Sequence, residues 1–275
     1  MKRFKVLLIM AFLFELVSIA YAGFDEGKAA YDRGDYTEAY KEFRPLAEQG
    51  NAKAQSSLGL IYEYGFGVSK DYAEALKWFR KSSDQGDATA LYELGLMYRS
   101  GWGVPQDDVQ GWEWLRKAAD QGHARAQFFL GELYQLGNGV PKDYVEAVRW
   151  FRKSAEQGDA WGQSCLGVMY DKGQGVQQDY AEAVKWYNKA ADQSHAESQY
   201  NLGIMYVNGN GVPQDYVHAY MLFNLVANHS RDWHAAAEKA RDEVGRKMTS
   251  SQIAEAQRLA KEWKPRGRDE KHDNP

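Results

Sequence analysis

The residues best placed to do chemistry in this sequence are glycines. Gly137-Asn138-Gly139 lies between what reads as the end of one helix and the start of another. A glycine-x-glycine loop feeding a helix N-terminus can cradle a phosphate, because bare backbone N–H groups and the positive helix end face the ligand. A phosphate cradle is needed once, however, and this stretch recurs. LGLIYEYGFGVSKDY from Leu58, LGLMYRSGWGVPQDD from Leu94, LGELYQLGNGVPKDY from Leu130, LGVMYDKGQGVQQDY from Leu166 and LGIMYVNGNGVPQDY from Leu202 align at a period of 36 residues. The residue between the glycines is Phe66, Trp102, Asn138, Gln174 or Asn210, and no Lys-Ser or Lys-Thr follows as a Walker loop requires. The loops therefore read as turns of a repeat architecture.

No other constellation has catalytic or ligating form. His195, His229 and His234 are the nearest approach to a histidine cluster, but their spacings of 34 and 5 match no metal-ligand pattern. The carboxylates read as helix caps or solvated faces, such as Glu42 to Glu48, and there is no Gly-x-Ser-x-Gly elbow. Neither a catalytic residue, a metal site nor a cofactor is expected. Cys165 is the single cysteine, so no intramolecular disulfide can form, and it reads as a small buried hydrophobe on a helix. A formal charge of −4 implies no nucleic-acid partner.

These residues sit on helix hairpins. Ala54, Leu58 and Tyr62 share one face of a first helix, and Tyr72, Ala75, Leu76 and Phe79 follow the i, i+3, i+4, i+7 rule on a second. Gly59, Gly95, Gly131, Gly167 and Gly203 stand inside the first helices, where glycine costs about 1 kcal/mol against alanine, so a partner helix is expected to pack closely there. Asp71, Asp143 and Asp179, each followed three residues later by Glu74, Glu146 and Glu182, predict reciprocal N-terminal caps on the second helices. Gly50, Gly86, Gly122 and Gly158 mark helix ends, with Ser194 replacing the glycine in the fourth internal copy.

The pattern Ala-x-x-x-Leu-Gly-x-x-Tyr, then Gly-x-Gly-Val-x-x-Asp-Tyr-x-x-Ala, then Trp-Phe-x-Lys-Ala-Ala and a closing glycine resembles the Sel1-like repeat. That resemblance implies an all-α fold, a right-handed α-solenoid of helix hairpins related to tetratricopeptide arrays. Sequence places repeats at 54–89, 90–125, 126–161, 162–197 and 198–232. Before them, residues 23–53 resemble a tetratricopeptide capping unit, with Tyr31 only 4 residues before Asp35 and the long loop missing. After them, 233–263 read as two capping helices, Thr249 and Gln252 forming a capping box for the second, and 264–275 as a disordered tail.

Residues 1–22 have the form of a secretory signal: basic MKRFK, the apolar VLLIMAFLFELVSIA, and Ala20-Tyr21-Ala22 for cleavage. Glu15 interrupts the apolar run, which is short for a membrane span, so no stable membrane insertion is expected after cleavage. Removing Lys2, Arg3, Lys5 and Glu15 leaves a mature charge of about −6. A periplasmic or secreted location follows as an expectation.

The resemblance implies a non-enzymatic scaffold that binds a protein or extended peptide. If the first helices line the concave side, as in tetratricopeptide arrays, the copy-variable positions there are Lys53, Ser56, Glu63, Tyr64, Tyr92, Arg99, Arg125, Phe128, Gln135, Trp161, Asp171, Tyr200 and Asn208. They are expected to be exposed, with Tyr92, Phe128, Trp161 and Tyr200 as aromatic anchors. Two alternatives stand beside this. One is an envelope protein contacting peptidoglycan or a wall enzyme. The other is weak β-lactam binding and hydrolysis, as in cysteine-rich relatives, but a single cysteine cannot supply their disulfide in each repeat, and the chain has no Ser-x-x-Lys or Lys-Thr-Gly.

Overall fold

A computed structural model describes residues 23–138 and 140–265. The expected signal segment, and residues 266–275 of the expected tail, lie outside the described residues. Among those described there is helix and no strand, and no helix is long and apolar enough to cross a membrane. The chain divides into one unit ending at His123 and a second beginning at Ala124.

The first unit contains α1 (residues 23–32), α2 (Tyr36–Glu48), α3 (Ala52–Tyr64), α4 (Tyr72–Ser83), α5 (Ala88–Ser100) and α6 (Asp108–Asp120). Its helices pack as successive hairpins around two apolar clusters. One gathers Ala39, Phe43, Leu58 and Ile61; the other gathers Leu76, Phe79, Leu94 and Met97.

The second unit contains α7 (Ala124–Leu136), α8 (Tyr144–Glu156), α9 (Ala160–Lys172), α10 (Tyr180–Asp192), α11 (Ala196–Asn208), α12 (Tyr216–His229), α13 (His234–Gly245) and α14 (Ser250–Glu262). The last two follow the repeats and pack on α12, so Val244 and Ala256 complete a cluster with Leu202, Met205 and Phe223. The Thr249–Gln252 capping box forms in both directions. All-α hairpin stacking of the solenoid class is thus what each unit displays.

The helix-interior glycines have the expected cause. A Cβ built on Gly131 would stand 2.4 Å from the Phe151 ring of the partner helix, and one on Gly59 the same distance from Phe79. Such contact is far inside van der Waals range, so the hairpin closes only without a side chain there.

The caps depart from expectation on one side. Asp71 Oδ1 accepts from Ala73 N–H and Glu74 N–H at 2.9 and 3.0 Å, and Asp143 and Asp179 do likewise. The glutamates do not reach back: Glu74, Glu146 and Glu182 turn to Lys77, Arg149 and Lys185 one turn onward. A cation at i+3 on the same face offers full charge, where the cap backbone offers one N–H.

The glycine-x-glycine loops hold the copies together. Gly65 caps α3 in the left-handed region, its N–H bonding Ile61 O at 3.0 Å. In the second unit a Cβ on Gly175 would meet Tyr144 O at 2.1 Å, so that loop glycine lies directly on the first residue of the preceding copy's second helix. Between the glycines, Phe66 stacks on Tyr36 with centroids 4.2 Å apart, and Trp102 on Tyr72 at 5.6 Å. The glycine backbone that could have faced a phosphate faces a neighbouring helix instead.

Glutamines form a second link: a buried inner glutamine reaches back to the preceding copy and is held in place by an outer glutamine of its own copy. Gln85 Nε2 donates to Gln55 Oε1 at 2.8 Å, and Gln157 to Gln127 and Gln193 to Gln163 repeat the bond at 2.7 and 2.8 Å. Gln55 Nε2 donates back to Ala47 O of the preceding unit at 3.0 Å, and Gln163 Nε2 to Ala155 O of the preceding copy at 3.2 Å.

Candidate binding surface

The second unit carries a continuous strip of variable side chains at the start of its first helices. Arg125 and Trp161 occupy the same repeat position in successive copies, 36 residues apart, near the N-termini of α7 and α9. The Arg125 guanidinium lies 5.2 Å from the Trp161 ring centroid and 5.5 Å from that of Phe128. Asp159, the N-cap of α9, accepts from Gly162 N–H at 2.8 Å and pairs with Arg125 Nη1 at 3.2 Å. One carboxylate therefore holds both the helix start and the guanidinium. On the far side of Trp161, the His195 ring meets it edge-on at 4.7 Å.

His195 is the N-cap of α11, its Nδ1 accepting from Ser198 N–H at 3.3 Å. Burial, and then the Arg125 charge, hold its pKa down at about 4, so the ring is neutral at neutral pH and free to accept. Trp161 remains 45% exposed although it touches three neighbours. A flat ring braced by a cation and a second ring is a pre-organised contact for an apolar or planar group, with Arg125 beside it for a carboxylate.

Several expected exposures are corrected. Phe128 is 5% exposed: it lies beneath Trp161 and Arg125 with its ring 6.1 Å from Phe151, so it is the floor of the strip and part of the hairpin core. Ser56 and Glu63 are also buried. Tyr200 is half-buried between Phe223 and Trp233, at 5.4 and 5.2 Å. Gln135 is half-buried with Nε2 3.9 Å from Met169 Sδ, and Asp171 is half-buried with its carboxyl pKa raised by burial. Lys53 and Asn208 are exposed as expected. For Phe128 and Gln135 part of the cover comes from the following copy's first helix, through Trp161 and Met169, which a single hairpin's periodicity does not reveal.

The first unit presents a different arrangement. Tyr64, 46% exposed, stacks on Phe66, Tyr92 stacks on His123 at 4.3 Å, and Arg99 lies 4.3 Å over Trp112. Behind them, Glu63 and Glu93 are each 2% exposed, and the Oε2 of both lacks a hydrogen-bond partner. Burial raises the Glu63 pKa to about 7; burial, followed by the Glu63 charge, raises that of Glu93 to about 8. Glu93 went unnoticed in the sequence because its repeat position holds Ser57, Phe129, Cys165 and Asn201 elsewhere, with no acid to compare. His195 was visible as an isolated histidine, and its capping role depended on Ser198. Among the described residues no group of three or more His, Cys, Asp or Glu could hold a metal. The Cys165 thiol is pushed far above its usual range by burial, which removes thiolate character.

A family model for the Sel1 repeat matches residues 52–87, 88–123, 124–159, 164–195 and 196–229. The crystal structure of a Sel1 repeat protein from Oxalobacter formigenes is similar, with a TM-score of 0.70 at 33% identity over 86% of this chain and 98% of that one. A protective antigen present in uropathogenic Escherichia coli strains, displaying an SLR fold, gives 0.58 at 27% identity over 88% of this chain. The match covers 60% of that antigen, less than two thirds of its length. An immunity protein from Pseudomonas aeruginosa, at 0.50 and 22% identity over 82% of this chain and 81% of that one, shares the fold alone. No curated protein matches the chain.

Proposed function

Since the chain belongs to the Sel1 repeat family, an architecture that presents protein-binding scaffolds, we propose that it is a non-enzymatic adaptor for a protein or extended peptide, exported to the periplasm or beyond. The observation that carries this reading is Trp161. A tryptophan left 45% exposed, yet fixed by Arg125, Phe128 and His195, loses little side-chain freedom when a partner covers it. The partner approaches along α7, α9 and α11, with an apolar or planar side chain on Trp161 and an acidic or carbonyl group at Arg125.

The test compares captured proteins for the exported wild type and for Trp161→Ala combined with Arg125→Ala. A specific partner held by the wild type and lost from the variant, at an unchanged melting midpoint, is the expected outcome. Identical capture by both would remove the strip from the binding surface. For the non-enzymatic part, a chromogenic β-lactam incubated with the protein should turn over no faster than in buffer, and covalent acylation seen by mass would overturn it.

A further inference from the structure

A second feature lies in the second unit where the last repeat meets the helix pair that follows. A cavity of about 650 Å³ opens between α12, the start of α11 and α14. Its size is in the range of small-ligand pockets. Asn224, Asn228, Ser230, Gln257 and Lys261 supply polar wall, and Leu225, Val226 and Trp263 supply apolar wall. No carboxylate is among its described lining residues, in a chain whose formal charge is −4.

The repeats show how that wall was changed. The position of Asn228 holds Asp84, Asp120, Glu156 and Asp192 in the four earlier copies, and only here is the acid an amide. The position of Leu225 holds Lys81, Lys117, Lys153 and Lys189, and only here is it apolar. Among the described lining residues the lysine now comes from outside the repeats, as Lys261 in the last turn of α14. The acids of its own helix do not neutralise it: Glu255 and Glu262 are both held by Arg258, with contacts of 2.7 and 2.5 Å. His229 Nδ1 is committed to Leu225 O at 2.9 Å, and Ser230 Oγ accepts from Trp233 N–H at 3.2 Å, which leaves the Ser230 hydroxyl proton to donate.

We propose that this cavity is a binding site for a carboxylate-bearing ligand of about dipeptide size, with none of Arg125, Phe128, Trp161 and His195 in its lining. The carboxylate takes a charge-assisted bond from Lys261 and amide N–H donors from Asn224, Asn228 or Gln257. The ligand's side chain lies against Leu225, Val226 and Trp263. An acid at position 228 would repel such a ligand, which accounts for its loss in this copy alone.

A pool of N-acetylated dipeptides, and the same pool as C-terminal amides, is titrated into the labelled full-length protein while the Trp263 indole N–H is followed by NMR, its signal assigned with Trp263→Phe. The acid pool is expected to shift that signal and the amide pool to leave it. Lys261→Gln should weaken binding about tenfold or more, Lys261→Arg should retain most of it, and Asn228→Asp should abolish it. Both altered sites are exposed, so folding is expected to survive, and circular dichroism checks it. A Trp263 signal that is silent to both pools, equal response to acids and amides, or full displacement by inorganic phosphate would overturn the proposal. Appending a binding dipeptide to the C-terminus of a carrier protein identifies the source: retained affinity assigns chain ends, and loss assigns free small acids.

Discussion

Glu63 and Glu93 make the first unit sensitive to pH through two side chains. Their folded pKa values of about 7 and 8 lie above the ordinary 4.5, so the folded unit prefers them protonated. Below pH 4.5 both states are protonated and the pair costs nothing. As pH rises from there through 7 and 8 the unfolded chain ionises first, and stability is lost over that window, on the order of a few kcal/mol for the two groups. The melting midpoint of the first unit should therefore fall between pH 5 and pH 8.5, apart from the response of other groups, and Glu93→Gln should flatten the fall and raise stability at the alkaline end. A wild-type midpoint that climbs across that range would show the carboxyls to be ionised and paired. A second contrast separates strip from floor. Phe128→Ala removes a ring packed on Phe151 and should cost about 3 to 5 kcal/mol, whereas Trp161→Ala, on the open side, should cost less than about 1 kcal/mol in a urea melt. Equal losses would place Trp161 in the core.

At the scale of elements, helix ends and loops decide how copies join. Ser194 is the described non-glycine residue with positive φ, at 65°, where other copies hold glycine, as at Gly86 and Gly158. A side chain costs about 1 to 2 kcal/mol in that region, partly offset by the smaller entropy it loses on folding. Ser194→Gly is expected to raise stability by up to about 1 kcal/mol. Gly175→Ala should act in the opposite sense and more strongly, because φ there is 71° and the new Cβ would meet Tyr144 O at 2.1 Å. Denaturant midpoints of the two variants moving in the same direction would contradict the loop-to-helix docking.

At the scale of the whole molecule, the proposed export rests on the N-terminal segment. Ala20-Tyr21-Ala22 supplies small residues at both positions read by a signal peptidase, so the mature chain should begin at Gly23. Intact mass of the exported form decides it, and a membrane-bound product retaining Met1 would remove the exported reading. The two units carry unlike surfaces: buried carboxyls behind exposed tyrosine in the first, a cation and tryptophan strip in the second.

Sequence by itself determined the repeat, its helices and its glycines, because each of these depends on interactions inside one hairpin. Periods of 3.6 within a helix and 36 between copies survive in a linear string, as do Asp71 beside its cap and Gly131 opposite Phe151. The tertiary structure decided what lies between copies. Phe128 lies under Trp161 of the following copy, Gln55 donates to Ala47 O of the preceding unit, and Gly175 seats on Tyr144 of the preceding copy. The variable positions therefore divided into two sets that their variability did not distinguish. Trp161 and Arg125 remain at the surface, while Ser56, Glu63 and Phe128 are enclosed, because exposure belongs to the stack of hairpins and not to any one of them.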